Sequence, residues 1–302
     1  MTRSLVLPLA LALFAGCAFD AGETPPAVHD TYSRTGSWTP RGDYALGTAL
    51  DFDLRGEGVL RLESTDPSVL SLTGTRGVAL GEGDAELVLF ADEEEVLRHP
   101  VHVGAVERIQ LRRAVLLPTT REVASPVRVI EGGEASVILD YYGAMDRRLF
   151  GVGDLALAED ASPALRVDET IEKQDRIALA PTAPGAGSAR IFGGPEGVFV
   201  GTLAFEAVPR DEVRDFTLEE QPVSGDDEGA IRLIVVLGRD AAGEPVEGIR
   251  DAELFLDGEP LGVGGAVAFT PSDARPPVPL EVVWGGRSRT LEVRADNGAT
   301  VF

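Results

Sequence analysis

Cysteine is almost absent: Cys17 is the only one in 302 residues. An internal disulfide is therefore impossible, and every core must hold by packing alone. Histidine is nearly as scarce, at His29, His99 and His102, and Lys173 is the single lysine. Aromatic residues make up 6% of the chain, so the interior is built from Val, Leu, Ile and Ala. Cations are outnumbered, 27 against 50 anions, for a formal charge of −23. A balance this acidic excludes nucleic acid as a partner, because displacing phosphate counterions needs clustered Lys and Arg. No Gly-x-Ser-x-Gly elbow is present, so the chain lacks the strand-to-helix turn that presents a hydrolase serine. After Cys17 there is also no apolar run of the roughly twenty residues that a spanning helix requires.

The start of the chain has one cation, Arg3, an apolar run from Leu5 to Phe14, and the small residues Ala15 and Gly16 before Cys17. A short apolar core followed by a small-residue cleavage site predicts a secretory signal peptide over residues 1–16. The stretch from Phe14 to Cys17 resembles the lipobox of bacterial lipoproteins, with Phe14 where leucine is commonest. The resemblance implies lipidation of Cys17, by a diacylglyceryl group on sulfur and an acyl chain on the new N-terminus. That lipid would be the only cofactor-like group and the only attachment to a membrane, and two or three acyl chains suffice for stable anchoring. By the same resemblance Ala18 favours the outer membrane; which face the protein occupies stays open. Residues 17–40, rich in Pro, Gly, Thr and Ser without periodicity, read as a tether.

Beyond residue 40 a period of two dominates. In "ALDFDLRG" Leu50, Phe52 and Leu54 alternate with Asp51, Asp53 and Arg55, the pattern of a strand with one buried face. Residues 59–63, 85–90, 107–113, 127–131, 136–142 and 230–238 read alike, with Gly, Pro, Asp and Asn between them. Short strands with frequent turns predict an all-β chain of antiparallel sandwiches. The best helix candidate is "DETIEKQDRIAL" (168–179). Three motifs recur in the same order at nearly constant spacing. "STDPSVLSL" (64–72) returns as "DASPALRV" (160–167), "GDAELVL" (83–89) as "GSARIF" (187–192), and Ala105-Val106 as Ala207-Val208.

Ser64, Asp66, Pro67, Ser68, Val69 and Leu72, then Gly77 to Leu80, then Gly83, Ala85 and Leu87 resemble the bacterial immunoglobulin-like group 2 domain. Later, Asp240, Gly243, Pro245, Val246 and Gly248 resemble the first turn of invasin-like or carboxypeptidase-regulatory-like sandwiches. These resemblances imply tandem immunoglobulin-like β-sandwich domains over residues 41–107, 108–210 and 211–302.

Candidate chemistry is sparse. His99 and His102 are three apart on one predicted strand and face opposite sides, so they do not make a joint metal site. Acidic runs offer calcium candidates in Asp92, Glu93, Glu94, Asp226 and Asp227, because calcium takes several oxygens from a flexible loop. Trp38, Trp284, Tyr141 and Tyr142 are either a sugar-stacking face or core and edge cover. No residue set supports catalysis. The expected function is a non-enzymatic envelope lipoprotein whose domains act as adhesive, spacer or scaffold, in contact with an envelope protein or a glycan. The alternative is a glycan- or calcium-binding accessory module.

Overall fold

The computed structural model describes residues 25–33, 37–114, 118–168, 175–195, 197–222, 231–272, 274–295 and 299–302. Alternation of apolar and polar residues generates three sandwiches in succession, each with its own core between two sheets. The first comprises β1 (Ala27–Asp30), β2 (Asp43–Ala45), β3 (Ala49–Arg55), β4 (Leu60–Ser64), β5 (Leu70–Thr73), β6 (Arg76–Ala79), β7 (Gly83–Ala91) and β8 (Glu94–Gly104). Its sheets run β1-β3-β6-β5 and β2-β8-β7-β4, with β2 parallel to β8. In β3, Leu50 and Phe52 are buried while Asp51 and Asp53 face water, as the period of two requires.

The tether is shorter than its composition implied. Ala27–Asp30 pairs with β3, from Ala27 opposite Arg55 to Asp30 opposite Phe52. Asp30 is fully buried and accepts hydrogen bonds from the Tyr32 amide at 2.8 Å, the Arg41 amide at 2.7 Å, the Ser33 hydroxyl at 2.9 Å and the Tyr44 hydroxyl. One carboxylate thus closes a loop whose polar composition imitates a spacer.

The second sandwich comprises β9 (Arg108–Ala114), β10 (Pro118–Glu122), β11 (Val127–Ile130), β12 (Ala135–Tyr142), β13 (Arg148–Leu149), β14 (Ala156–Leu157), β15 (Leu165–Val167), β16 (Arg176–Leu179), β17 (Gly185–Gly193) and β18 (Val198–Val208). Its sheets are β10-β9-β12-β16-β15, with β13 on β12, and β11-β18-β17-β14. Here β11 lies parallel to β18, as β2 does to β8. The helix expected over 168–179 is not formed at its C-terminal part: Arg176–Leu179 is the strand β16, paired on both sides and buried at all four residues. An apolar run hidden on both faces carries no period to distinguish strand from helix.

The internal repeat has a physical basis. In the first sandwich the Asp66 carboxylate accepts the Ser68 amide at 2.9 Å and the Asp66 carbonyl accepts the Val69 amide at 3.1 Å. In the second, the Ser162 hydroxyl accepts the Ala164 amide at 3.4 Å and the Ser162 carbonyl accepts the Leu165 amide at 3.0 Å. Pro67 and Pro163 occupy the same place, and Val69 and Leu165 are both buried. The hairpin strands align differently from their letters. Gly83 corresponds to Gly185, both at positive φ at the start of their strands, and not to Gly187. The turn joining β17 to β18 is two residues longer than the Asp92-Glu93 turn joining β7 to β8, so beyond it Ala207 and Val208 correspond to Val103 and Gly104, and not to Ala105 and Val106.

The third sandwich comprises β19 (Asp215–Pro222), β20 (Arg232–Arg239), β21 (Pro245–Val246), β22 (Ala252–Leu256), β23 (Glu259–Gly264), β24 (Ala266–Phe269), β25 (Val278–Trp284), β26 (Arg287–Val293) and β27 (Thr300–Val301). Its sheets, β19-β20-β24-β27 with β21 on β20, and β23-β22-β25-β26, contain antiparallel pairs throughout the described residues. It is therefore a different sandwich from the first two. Trp284 packs edge-on against Phe216 at 6.3 Å in its core.

Candidate functional site

The most elaborate polar chemistry lies where one sandwich meets the next. At the first junction the outer edge of β2 receives residue 150 of the second sandwich as a parallel bridge, Tyr44 opposite Phe150. The Phe150 amide donates to the Asp43 carbonyl at 2.8 Å and the Ala45 amide to the Phe150 carbonyl at 3.2 Å. The Thr48 hydroxyl donates to the Gly151 carbonyl, Arg147 pairs with Asp43 at 2.5 Å, and the Arg41 guanidinium covers the Phe150 ring at 4.6 Å. Gly151, at φ +51°, lies so close to Tyr32 that any side chain there would strike its ring.

The second junction repeats this arrangement. Val129 of β11 bridges Glu247 in parallel. The Glu247 amide donates to the Arg128 carbonyl at 2.8 Å and the Ile130 amide to the Glu247 carbonyl at 2.9 Å. In both cases the donor follows the same path: a long strand (β12 or β20) turns into a two-residue return strand (β13 or β21), and the next residue leaves to bind the preceding sandwich. Edge strands expose unpaired amides and carbonyls, and this bridge satisfies them in β2 and β11.

The motif Asp240-x-x-Gly243-x-Pro245-Val246-x-Gly248 is the docking turn of the third sandwich. One oxygen of Asp240 accepts the amides of Ala242 and Glu244, each at 2.8 Å. The other takes Arg128 of the second sandwich at 2.9 Å. The Glu244 amide above all, then Arg128, holds the Asp240 carboxyl below the usual carboxylate range. Glu247 also reaches Arg113 at 2.5 Å, with both residues under a tenth exposed, and Glu219 stands 3.8 Å from Arg113.

Behind the first junction, Asp175 accepts the amides of Val152 at 2.9 Å and Gly153 at 3.4 Å, holding the loop that carries Phe150. Burial pushes the Asp175 carboxyl up, and burial first, then the nearby Asp175, does the same to the Tyr32 phenol.

Gly133 packs so tightly that a methyl group on it would collide with the Gly248 carbonyl. Gly133→Ala is therefore expected to open the second junction at a cost of about 1–3 kcal/mol. Hydrogen exchange should show faster exchange of the Ile130 and Glu247 amides with the cores intact. Unchanged protection of both would exclude this account of the junction.

Residues singled out by sequence are dispersed. Cys17, Asp226 and Asp227 lie outside the described residues. Asp92 and Glu93 form the β7–β8 turn at positive φ, and the Asp92 carboxylate is engaged by the Val59 amide at 2.8 Å. Glu94 is exposed at the start of β8. Among the described residues no three His, Cys, Asp or Glu converge as a metal site. His99 is half-buried, and its pKa is lowered by burial; His102 holds Asp84 at 2.8 Å. Tyr141 and Trp284 are buried in different cores, Tyr142 lies under Arg108, and Trp38 is the exposed one. No helix among the described residues is long and apolar enough to cross a membrane.

No protein-family model and no curated protein matches the chain. Among solved structures it is similar to domains 4–9 of the surface layer protein SbsC, at 14% identity over 90% of this chain with a TM-score of 0.39. It spans 47% of that chain, about half its length. It is also similar to the Escherichia coli adhesin FdeC, at 11% identity over 91% of this chain and 97% of that one, with a TM-score of 0.27. The bacterial integrin-binding protein invasin aligns at 10% identity over 89% of this chain and 60% of that one, with a TM-score of 0.25. In its own sheets the chain is an all-β protein of tandem immunoglobulin-like sandwiches.

Proposed function

We propose that the chain is a non-enzymatic lipoprotein of the bacterial cell envelope, anchored by lipid on Cys17, whose three sandwiches form a stalk serving as spacer, scaffold or adhesive. The observation that carries this reading is the recurrence of one backbone bridge at both junctions, Tyr44 to Phe150 and Val129 to Glu247. A bridge of main-chain hydrogen bonds backed by ion pairs restrains the hinge between domains, which a spacer needs and a string of loosely tethered modules lacks. The direction of the first sandwich fits. Thr48, just before β3, touches the second sandwich, and Arg55, at the far end of β3, pairs with Ala27 where the chain enters. The anchor and the next domain are thus at opposite ends. The contacts at the far end are an envelope protein or a glycan, and the net charge of −23 disfavours nucleic acid.

Phase partitioning tests the anchor. Wild-type protein expressed in a bacterium should enter the detergent phase, and Cys17→Ser should return it to the aqueous phase. Equal partitioning of the two would remove the lipoprotein reading. Trypsin added to intact cells then assigns the face: cleavage at exposed arginines such as Arg76 places the stalk outside the cell, and protection until the outer membrane is permeabilised places it in the periplasm.

A further inference from the structure

The end of the first sandwich that faces away from the second is assembled around the point where the chain enters. Ala27 pairs with Arg55, and Pro26 packs beside Gly56. Asp92 ties the adjoining hairpin to this end, its amide donating to the Val59 carbonyl at 3.2 Å and its carboxylate accepting the Val59 amide at 2.8 Å. Val59 projects from it at 76% exposure, and Trp38, 38% exposed, lies at its rim against His29 and Arg55. The Arg55 guanidinium stands over the Trp38 ring at 5.4 Å, and His29 meets the ring edge-on at 5.9 Å. Cys17 precedes Ala27 by only about ten residues, which span at most about 35 Å. If the lipoprotein reading holds, on which this inference rests, lipid at Cys17 keeps this end within that distance of the bilayer.

We infer that this end rests on the headgroup layer of a zwitterionic bilayer through Trp38 and Val59, with Arg55 alongside. Indole partitions to the membrane interface because it is apolar in body and polar at its N–H. Val59 gains by leaving water, and Arg55 lays its stem on the surface while its head stays hydrated. Each contribution is small, but a short tether raises the effective concentration of the surface and makes weak contacts count. Glu57, Asp92, Glu93 and Glu94 surround the same end and are exposed. An anionic membrane therefore repels it, which makes the contact specific to lipid of low surface charge.

Because Cys17 is the only thiol, the chain from Cys17 onward can be coupled to a maleimide phospholipid in phosphatidylcholine vesicles, whether or not cells acylate it. The emission of Trp38 is obtained as the difference between wild type and Trp38→Phe, with buried Trp284 common to both. The expected result is a blue shift of Trp38, loss of intensity with brominated acyl chains, and reduced quenching by acrylamide. Adding phosphatidylglycerol, or making Val59→Asp, should reverse all three. Acrylamide quenching of Trp38 equal on vesicles and in free solution would overturn the proposal. So would protection of Trp38 by soluble peptidoglycan fragments without protection by lipid, which would make the site a glycan platform. Partitioning of Cys17→Ser probes lipidation by itself, so failure of the anchor and failure of this contact are distinguishable.

Discussion

Glu247→Ala is expected to destabilise the pair formed by the second and third sandwiches by about 3 kcal/mol, because it removes one partner of a buried ion pair and leaves the other charge out of water. Arg113 and Glu247 are 5% and 8% exposed and 2.5 Å apart. With Glu247 gone, Arg113 keeps Glu219, at 3.8 Å, a longer and weaker interaction. The double variant Arg113→Met with Glu247→Leu should recover most of the loss, since apolar residues of similar volume need no desolvation of charge. Urea unfolding of wild type, single and double variants measures this directly. A single variant as stable as wild type would mean that the pair is solvated and does not hold the junction.

Asp30→Ala should be more damaging still, at about 4 kcal/mol in the first sandwich, since several buried donors each lose about 1–3 kcal/mol when left without an acceptor. Asp30 accepts from two amides and two hydroxyls at a position with no exposure to solvent. Its loss should free Tyr32, Ser33 and Arg41, and limited trypsinolysis ought to find Arg41 accessible in the variant and protected in the wild type. A shift under about 1 kcal/mol, the scale of a single exposed hydrogen bond, would contradict the assigned role. Under the proposed anchoring at Cys17, freeing β1 from β3 would lengthen the tether and let the first sandwich move farther from the membrane.

The individual strands of this protein are readable from its sequence wherever one face is wet. In β3 the alternation of Leu50 and Phe52 with Asp51 and Asp53 announces both the strand and its inward side, because side chains on a pleated strand point alternately to core and solvent. The Asp66 and Ser162 turns are readable for a similar reason: short polar side chains that bond nearby amides leave a local signature. Cys17 and the charge of −23 set expectations for location and partners without any coordinates. Where burial is two-sided or pairing is distant, the signal disappears. Arg176–Leu179 is buried throughout, so its letters fit a helix as well as a strand. Ala27–Asp30 has too few residues to show a period, and its strand partner lies beyond a loop gathered around the buried Asp30 carboxylate. The junctions were decided by tertiary structure alone. Phe150 and Glu247 have nothing chemical in common, yet they do the same work, because the bridge is made by main-chain amide and carbonyl, which every residue but proline supplies.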